Sequence, residues 1–150
     1  MGFFDKLFEA AETLAKPSIT SEQEAFLTIL AACGSADGDI ESSEWDTIYD
    51  TLFEKKMFNS VDIWALIDEC KKNIKAYPSL ADAVNDCAPK ITKENVNMVF
   101  ATCTDLVLID GVISSGEKAI IGHLKDALSV SDDLATKIVE VLLIRNYNNN

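Results

Sequence analysis

The sequence predicts an all-α fold, a single helical domain of about seven or eight helices. Apolar residues recur at i, i+3, i+4 and i+7 in nearly every segment, and no segment shows the sustained alternation of a strand. Hydrophobic residues make up 48% of the chain, with only 6 Gly and 3 Pro, as is typical of a folded globular protein. The 150 residues suffice for one domain that buries roughly two-thirds of its unfolded surface.

Local signals set the helix boundaries. Pro17 ends the first helix, and the segment from Ser21 to Glu24 is a capping box that starts the second. Pro78 and Pro89 bracket a short, polar, less regular stretch that joins two halves of the chain. The three C-terminal asparagines are expected to be frayed. Helices are therefore predicted near 2–16, 21–34, 41–57, 60–76, 79–87, 93–109, 114–129 and 131–146.

Residues 1–150 are predicted to form one domain with four parts. An amphipathic helix over 1–17 precedes a first half over 21–76, a connector over 77–91 and a second half over 92–147. Membrane-surface helices usually carry Lys and Arg on their polar face, whereas this N-terminal helix is mainly acidic there. Its apolar side is therefore expected to pack on the protein's own core. That side carries Phe3, Phe4, Leu7, Phe8, Ala11 and Leu14.

Two segments repeat one pattern, D-G-x-I-x-x-x-E. The first covers 37–44 and the second covers 110–117, 73 residues later (110 − 37). In each copy an apolar helical stretch leads into the Asp-Gly turn, and an amphipathic stretch leaves through the Glu. The chain is therefore predicted to contain two helix-loop-helix halves. Folding the halves together could bring into one acidic site the carboxylates of Asp37, Glu44, Asp110 and Glu117.

Both segments match the second part of a calcium-binding EF-hand loop. Asp, Gly, Ile and Glu fall at loop positions 5, 6, 8 and 12, but positions 1 and 3 carry no carboxylate, so a complete EF-hand is excluded. Two alternatives remain: one site shared between the loops, or weak binding at each loop with waters completing the shell. The expected ligand is a divalent cation, Ca²⁺ or Mg²⁺, bound weakly. The candidate metal ligands are Asp37, Glu44, Asp110 and Glu117, with Asp39, Glu41 and Ser114 as additional ones.

The same residues also fit a helix-turn-helix repeat that binds nothing. Ser114 and Glu117 form a capping box, Glu44 stands three residues after Glu41, and Asp-Gly is an ordinary turn dipeptide. The absence of nearby basic residues favours cation binding, because no Lys or Arg occurs over 17–54 or 94–117. In either case the motif residues Ile40 and Ile113 are expected to be buried.

The doubled motif, in an acidic all-helical chain that opens Met1-Gly2-Phe3-Phe4-Asp5-Lys6, resembles the bacterial tellurite-resistance TerB family. The resemblance covers 20–145 loosely and the motifs closely. It implies a single helical domain of two related halves that serves in tellurite or general stress response and binds metal or a partner protein through the acidic motifs. Gly116 is a departure from the family pattern, because Gly weakens the start of the helix that follows. By this resemblance the functional carboxylates are Asp37, Glu44, Asp110 and Glu117.

The net charge of -12 limits the partners. It repels nucleic acid and anionic lipid, so the expected protein partner has a basic surface, with no nucleic acid bound and no membrane insertion. An alternative is an acidic protein that mimics nucleic acid and occupies a DNA-binding partner, with carboxylates spaced along one face. The unpaired acids concentrate near the two motifs instead. The four cysteines include no C-x-x-C pair and predict buried free thiols in the cytoplasm.

The sequence predicts no enzymatic activity. The single histidine, His123, lies on an apolar stripe and is interpreted as a partly buried structural residue. No nucleophile elbow, P-loop or dinucleotide fingerprint occurs. Trp45, Trp64 and Met57 stand at helical spacing and are predicted to be core residues.

Overall fold

The computed structural model describes residues 2–5 and 17–149, and its described residues contain no β-strand. Residues 17–149 form seven α-helices and two short 3₁₀ helices, which confirms the all-α fold. Among the described helices, none has both the length and the apolar character needed to cross a membrane. The α-helices are α1 (Glu22–Gly34), α2 (Ser42–Phe53), α3 (Ile63–Ala76), α4 (Leu80–Cys87), α5 (Val96–Val107), α6 (Ser115–Ala127) and α7 (Asp132–Arg145), and the 3₁₀ helices are Lys56–Phe58 and Ala88–Lys90.

Two predicted helices need comment. Of the helix predicted over 2–16, residues 3–5 are helical and residues 6–16 lie outside the described residues. Phe3 and Phe4 are exposed, so the expected packing on the core is wrong for these two residues. The helix predicted over 41–57 is too long, because α2 ends at Phe53 and a 3₁₀ helix follows. The early end turns the chain back so that Phe58 is buried against Phe26, with ring centroids 5.9 Å apart.

Helix α1 lies at the centre of the fold. Residues 25–33 are all buried, and α1 contacts α3, α4, α5 and α6. This burial follows from a stretch without charged residues, because a helix that is apolar on all sides must be enclosed. The helix starts at Ser21, whose hydroxyl accepts a hydrogen bond from the Glu24 N–H.

The start of α1 is joined to the start of α5 by the Glu22 carboxylate. Glu22 Oε1 accepts hydrogen bonds from the Thr92 N–H, the Thr92 hydroxyl and the Asn95 side-chain amide, at 2.8 to 3.0 Å. Partial burial raises the pKa of Glu22, but these hydrogen bonds to the ionised form outweigh burial and lower the pKa below its usual value. The two helices therefore begin at the same end of the molecule.

The repeat extends to three helices per half. Helices α1, α2 and α3 have 13, 12 and 14 residues, and α5, α6 and α7 have 12, 13 and 14. In each half the first helix contacts the third. The connector is more than a polar link, because α4 packs on α1 and buries Ala83, Val84 and Cys87.

The prediction of a core position is correct for Trp45 and wrong for Trp64. Trp45 is buried, and Met57 is partly buried against the core. Trp64 is 43% exposed because the preceding Ile63 takes the inward position at the start of α3. Its ring stacks on Tyr49, with centroids 4.7 Å apart.

The lowered pKa of Glu22 predicts a pH-dependent contribution to stability. A lowered folded-state pKa stabilises the fold above the unfolded value of 4.5, and this stabilisation is lost as the pH falls through the folded-state pKa. We expect Glu22→Gln, which keeps an acceptor oxygen, to destabilise the protein at neutral pH and to differ less from the wild type below pH 4. Urea melts across this range measure the difference. Exposed Glu94→Gln is the control, and an equal pH profile for both variants would contradict the assignment.

Candidate functional site

The two motif loops follow the same backbone course. Each has seven residues, 35–41 after α1 and 108–114 after α5 (41 − 34 and 114 − 107). The Gly38 N–H donates to the Ser35 carbonyl at 3.1 Å, and the Gly111 N–H donates to the Leu108 carbonyl at 2.9 Å. Both glycines have positive φ, 135° and 78°, a conformation that other residues rarely adopt. These bonds confirm the predicted equivalence of the two Asp-Gly turns.

The motif glutamates cap the helices that follow the loops. Glu44 Oε1 accepts from the Glu41 N–H at 3.1 Å, and Glu117 Oε1 accepts from the Ser114 N–H at 2.9 Å. The Ser114 hydroxyl also accepts from the Glu117 N–H, which completes a capping box. Each motif glutamate thus uses one carboxylate oxygen to stabilise a helix start.

The first loop lies directly against the start of α6. The Ser114 hydroxyl donates to Asp37 Oδ1 at 2.5 Å, which joins the two motifs across the halves. A Cβ atom added at Gly116 would lie 2.8 Å from the Ala36 carbonyl oxygen. The sequence presents Gly116 as a poor helix start, whereas the structure shows it as the point where the first loop approaches α6. Nothing in one half of the sequence signals this contact, because the partner atoms belong to the other half.

The two motif glutamates line one cleft between the halves. The cleft has a volume of about 100 Å³ and lies where α1 and α2 meet the end of α5 and the start of α6. Its walls are mixed, with carboxylates at the rim and apolar groups behind them. The lining residues are Cys33, Gly34, Glu44, Thr47, Leu106, Val107, Ile109 and Glu117.

Asp110 does not join this cleft. Its Oδ1 accepts from the Val112 N–H at 3.0 Å, so the side chain folds onto its own loop. The opposite side of this loop packs on the end of the chain: the Asn149 side-chain amide donates to the Ile109 carbonyl at 3.1 Å. Asn149 of the tail expected to be frayed thus contacts the second loop, while Asn150 lies outside the described residues.

The three additional candidate ligands differ in their exposure and contacts. Asp39 and Glu41 are exposed at the rim of the first loop, whereas Ser114 is engaged in the two contacts described above. Ile40 and Ile113 are partly buried and pack against the core, so the prediction of their burial is met only in part.

The structure therefore brings the four predicted carboxylates to one end of the molecule without making them one coordination site. Asp37 contacts the second motif, Glu44 and Glu117 share a cleft, and Asp110 stays on its own loop. Within 2–5 and 17–149, no group of three or more His, Cys, Asp or Glu side chains is arranged to hold a metal ion. In the same residues these four carboxylates form no ion pair with Lys or Arg. The result is uncompensated negative charge with free oxygen atoms.

The other reactive side chains are placed as structural residues. His123 Nε2 lies 2.7 Å from Asn85 Oδ1, and the side chain is partly buried. All four cysteines are buried free thiols. Burial raises the pKa of Cys70 to about 12 and that of Cys87 to about 11, and it raises the pKa of Cys103 well above its usual value.

The family model described as "Tellurite resistance protein TerB" matches residues 23–138, a range that contains both motif loops. Comparison with curated proteins and with solved structures gives no match.

The approach of the first loop to α6 predicts opposite effects at two glycines of that helix. Gly116→Ala should destabilise the fold by about 1 to 3 kcal/mol, because the new Cβ meets a backbone oxygen that cannot move alone. Gly122→Ala should stabilise it by about 0.5 to 1 kcal/mol, since nothing lies within 4 Å of its Cβ position and Ala favours helix. Denaturant melts compare the two variants. Equal stabilisation by both would show that the loop does not rest on α6.

Proposed function

The chain belongs to the TerB family, whose model describes a tellurite resistance protein, and we propose that it is a non-catalytic acidic binding module in tellurite or general stress response. Its ligand is positively charged and is bound at the two D-G-x-I-x-x-x-E loops. That ligand is a divalent cation, or the Lys and Arg side chains of a protein partner. The proposed binding residues are Asp37, Glu44, Asp110 and Glu117, with Asp39, Glu41 and Ser114 beside them.

One observation carries this proposal. Asp37, Glu44 and Glu117 lie at the junction of the halves, and among the described residues no motif carboxylate has a Lys or Arg partner. Carboxylates without a cationic partner attract positive charge, so a bound cation is favoured. Helix capping alone accounts for one oxygen of each glutamate and leaves the second one free.

The chemistry of the free groups favours a hard cation. Carboxylate and hydroxyl oxygens suit Ca²⁺ and Mg²⁺, whereas thiols are softer ligands, and the Cys33 thiol in the lining of the cleft is buried. Because part of the oxygen set is already used in capping, waters would complete the shell. We therefore expect a dissociation constant on the order of 10⁻⁴ to 10⁻³ M.

The buried thiols argue against direct thiol chemistry on an oxyanion. Such chemistry needs an accessible thiolate, and burial raises the pKa of the Cys70, Cys87 and Cys103 thiols, so these three stay protonated at neutral pH. His123 Nε2 is likewise engaged with the Asn85 side chain. Free thiols of this kind fit the reducing cytoplasm, which is the location we propose.

Nucleic-acid mimicry is the weaker candidate. A mimic needs carboxylates spaced like phosphates along one exposed face. Here the motif carboxylates lie at one end of the molecule, beside the exposed apolar residues Ile109 and Val112. Apolar groups at such positions fit a protein partner better than they fit a copy of a phosphate backbone.

Millimolar Ca²⁺ or Mg²⁺ should raise the melting temperature. At a cation concentration ten times Kd, binding to the native state alone adds about 1.4 kcal/mol, which corresponds to roughly 3 to 6 °C for a domain of this size. Asp37→Asn with Asp110→Asn should abolish the gain, because Asn keeps the acceptor oxygen for Ser114 and Val112 but removes the charge. Differential scanning calorimetry at constant ionic strength measures this.

The matched control for this experiment is Asp68→Asn with Asp133→Asn, which changes the net charge equally at exposed positions away from the loops. The control variant should keep the full gain. If the motif variant gains as much from the cation as the wild type does, the carboxylates serve as helix caps and turn residues only.

Thiol reactivity tests the proposed absence of thiol chemistry. We expect Ellman's reagent at pH 8 to leave all four thiols of the native protein unmodified over minutes and to modify them on denaturation, because the thiols are buried and reagent access is blocked. Rapid reaction of one native thiol would contradict this.

The raised pKa of Cys70 also predicts a loss of stability as the pH rises from 9 toward 12, since the unfolded thiol ionises first.

A further inference from the structure

Large apolar side chains are exposed at one corner of the molecule, beside the second motif loop. We name this set the apolar corner; its members are between 51% and 77% exposed. They come from the loop after α5, from the last turns of α7 and from the residues that directly follow α7. The members are Ile109, Val112, Val141, Ile144 and Tyr147.

The end of α7 carries apolar residues on its exposed outer side as well as on its buried side. Leu142 faces the core and is buried, whereas Val141 and Ile144 lie on the outer side of the same turns. A surface helix normally carries polar residues on that side. Exposed large side chains grouped in this way mark interaction sites in monomeric proteins.

Two contacts hold the pieces of the corner together. The Asn149 side-chain amide donates to the Ile109 carbonyl, and the Asn146 carbonyl oxygen lies 2.7 Å from the position that a Cβ on Gly111 would occupy. Asn146 is itself buried. The residues after α7 are therefore fixed against the second loop, and the corner is part of the folded surface.

The apolar corner is continuous with the acidic cleft. Ile109 belongs to both, because it also lines the cleft that holds Glu44 and Glu117. Arg145 lies nearby, but its guanidinium faces Asp105 at 3.9 Å. The surface thus joins apolar side chains to uncompensated carboxylates.

We propose that the apolar corner and the acidic cleft form one docking surface for a protein segment that carries apolar residues beside Lys or Arg, such as a basic amphipathic helix. The apolar residues of the partner would cover Val112, Ile144 and Tyr147, and its cations would reach Glu44 and Glu117. This deepens the proposed function, because it rests on the loops binding positive charge and names the partner class.

Charge complementarity selects this occupant over two others. A second copy of the chain would bring a net charge of -12 against the same sign. Anionic lipid is repelled for the same reason. A basic segment is attracted to the carboxylates, and this steers the apolar residues onto the corner.

The test uses the full chain and a synthetic helical peptide of Leu and Lys, with a Leu and Glu peptide of the same pattern as the charge control. We expect only the Leu-Lys peptide to bind. In ¹⁵N-resolved NMR spectra its addition should shift the amide signals of 109–112, 141–147 and Glu44. Ile144→Ser with Tyr147→Ser should weaken binding by about tenfold, since two apolar contacts are lost.

The control variant is Phe53→Ser with Trp64→Ser, which removes two other exposed aromatic side chains on α2 and α3. It should bind the peptide as the wild type does, and circular dichroism melts verify that both variants fold. Equal weakening by both variants, binding of the Leu-Glu peptide, or shifts spread over the whole surface would overturn the proposal. So would sedimentation of the wild type as a dimer, or its binding to phosphatidylcholine vesicles, if the corner variant abolished either behaviour.

The cation experiment separates this inference from the proposed function. Localised peptide binding without any effect of Ca²⁺ or Mg²⁺ would support the docking surface and leave only the cation proposal refuted. Stabilisation by the cation without localised peptide binding would refute the docking surface and retain the cation site.

Discussion

The complete burial of α1 is the constraint on which the rest of the structure depends. A helix with residues 25–33 buried on every side must be enclosed by others, and α3, α4, α5 and α6 supply that enclosure. Because α1 contacts α5 and both begin at the end marked by Glu22, the loops that follow them emerge at the opposite end together. Packing of the core thus places the two acidic motifs side by side.

Each motif glutamate uses one carboxylate oxygen to cap a helix, and its second oxygen is left without a capping bond. The capping bonds of Glu44 and Glu117 hold the starts of α2 and α6, and Asp37 accepts the Ser114 hydroxyl. These bonds fix where the carboxylates point, while the lack of a Lys or Arg partner among the described residues leaves their charge uncompensated. If these carboxylates bind a cation as we propose, the fixed side chains would need little further ordering.

The two copies of the motif have different neighbours in the folded protein. The first loop rests on α6 at Gly116, whereas the second loop rests on the residues after α7. Equivalent backbone turns therefore have different neighbours, since the first loop packs on a helix of the other half and the second loop packs on residues after the last helix of its own half. The apolar corner beside the second loop is a product of this asymmetry.

The sequence by itself determined the all-α fold, the two Asp-Gly turns and the caps at Ser114 and Glu117, because helical periodicity, turn residues and capping boxes act within a few residues of each other. The doubled motif likewise identified the TerB family. Only the tertiary structure decided the bond between Asp37 and Ser114, the cleft shared by the motif glutamates, the use of Gly116 as a contact and the exposure of Trp64. These depend on which helix lies against which, and the core that sets this packing joins residues far apart in the chain.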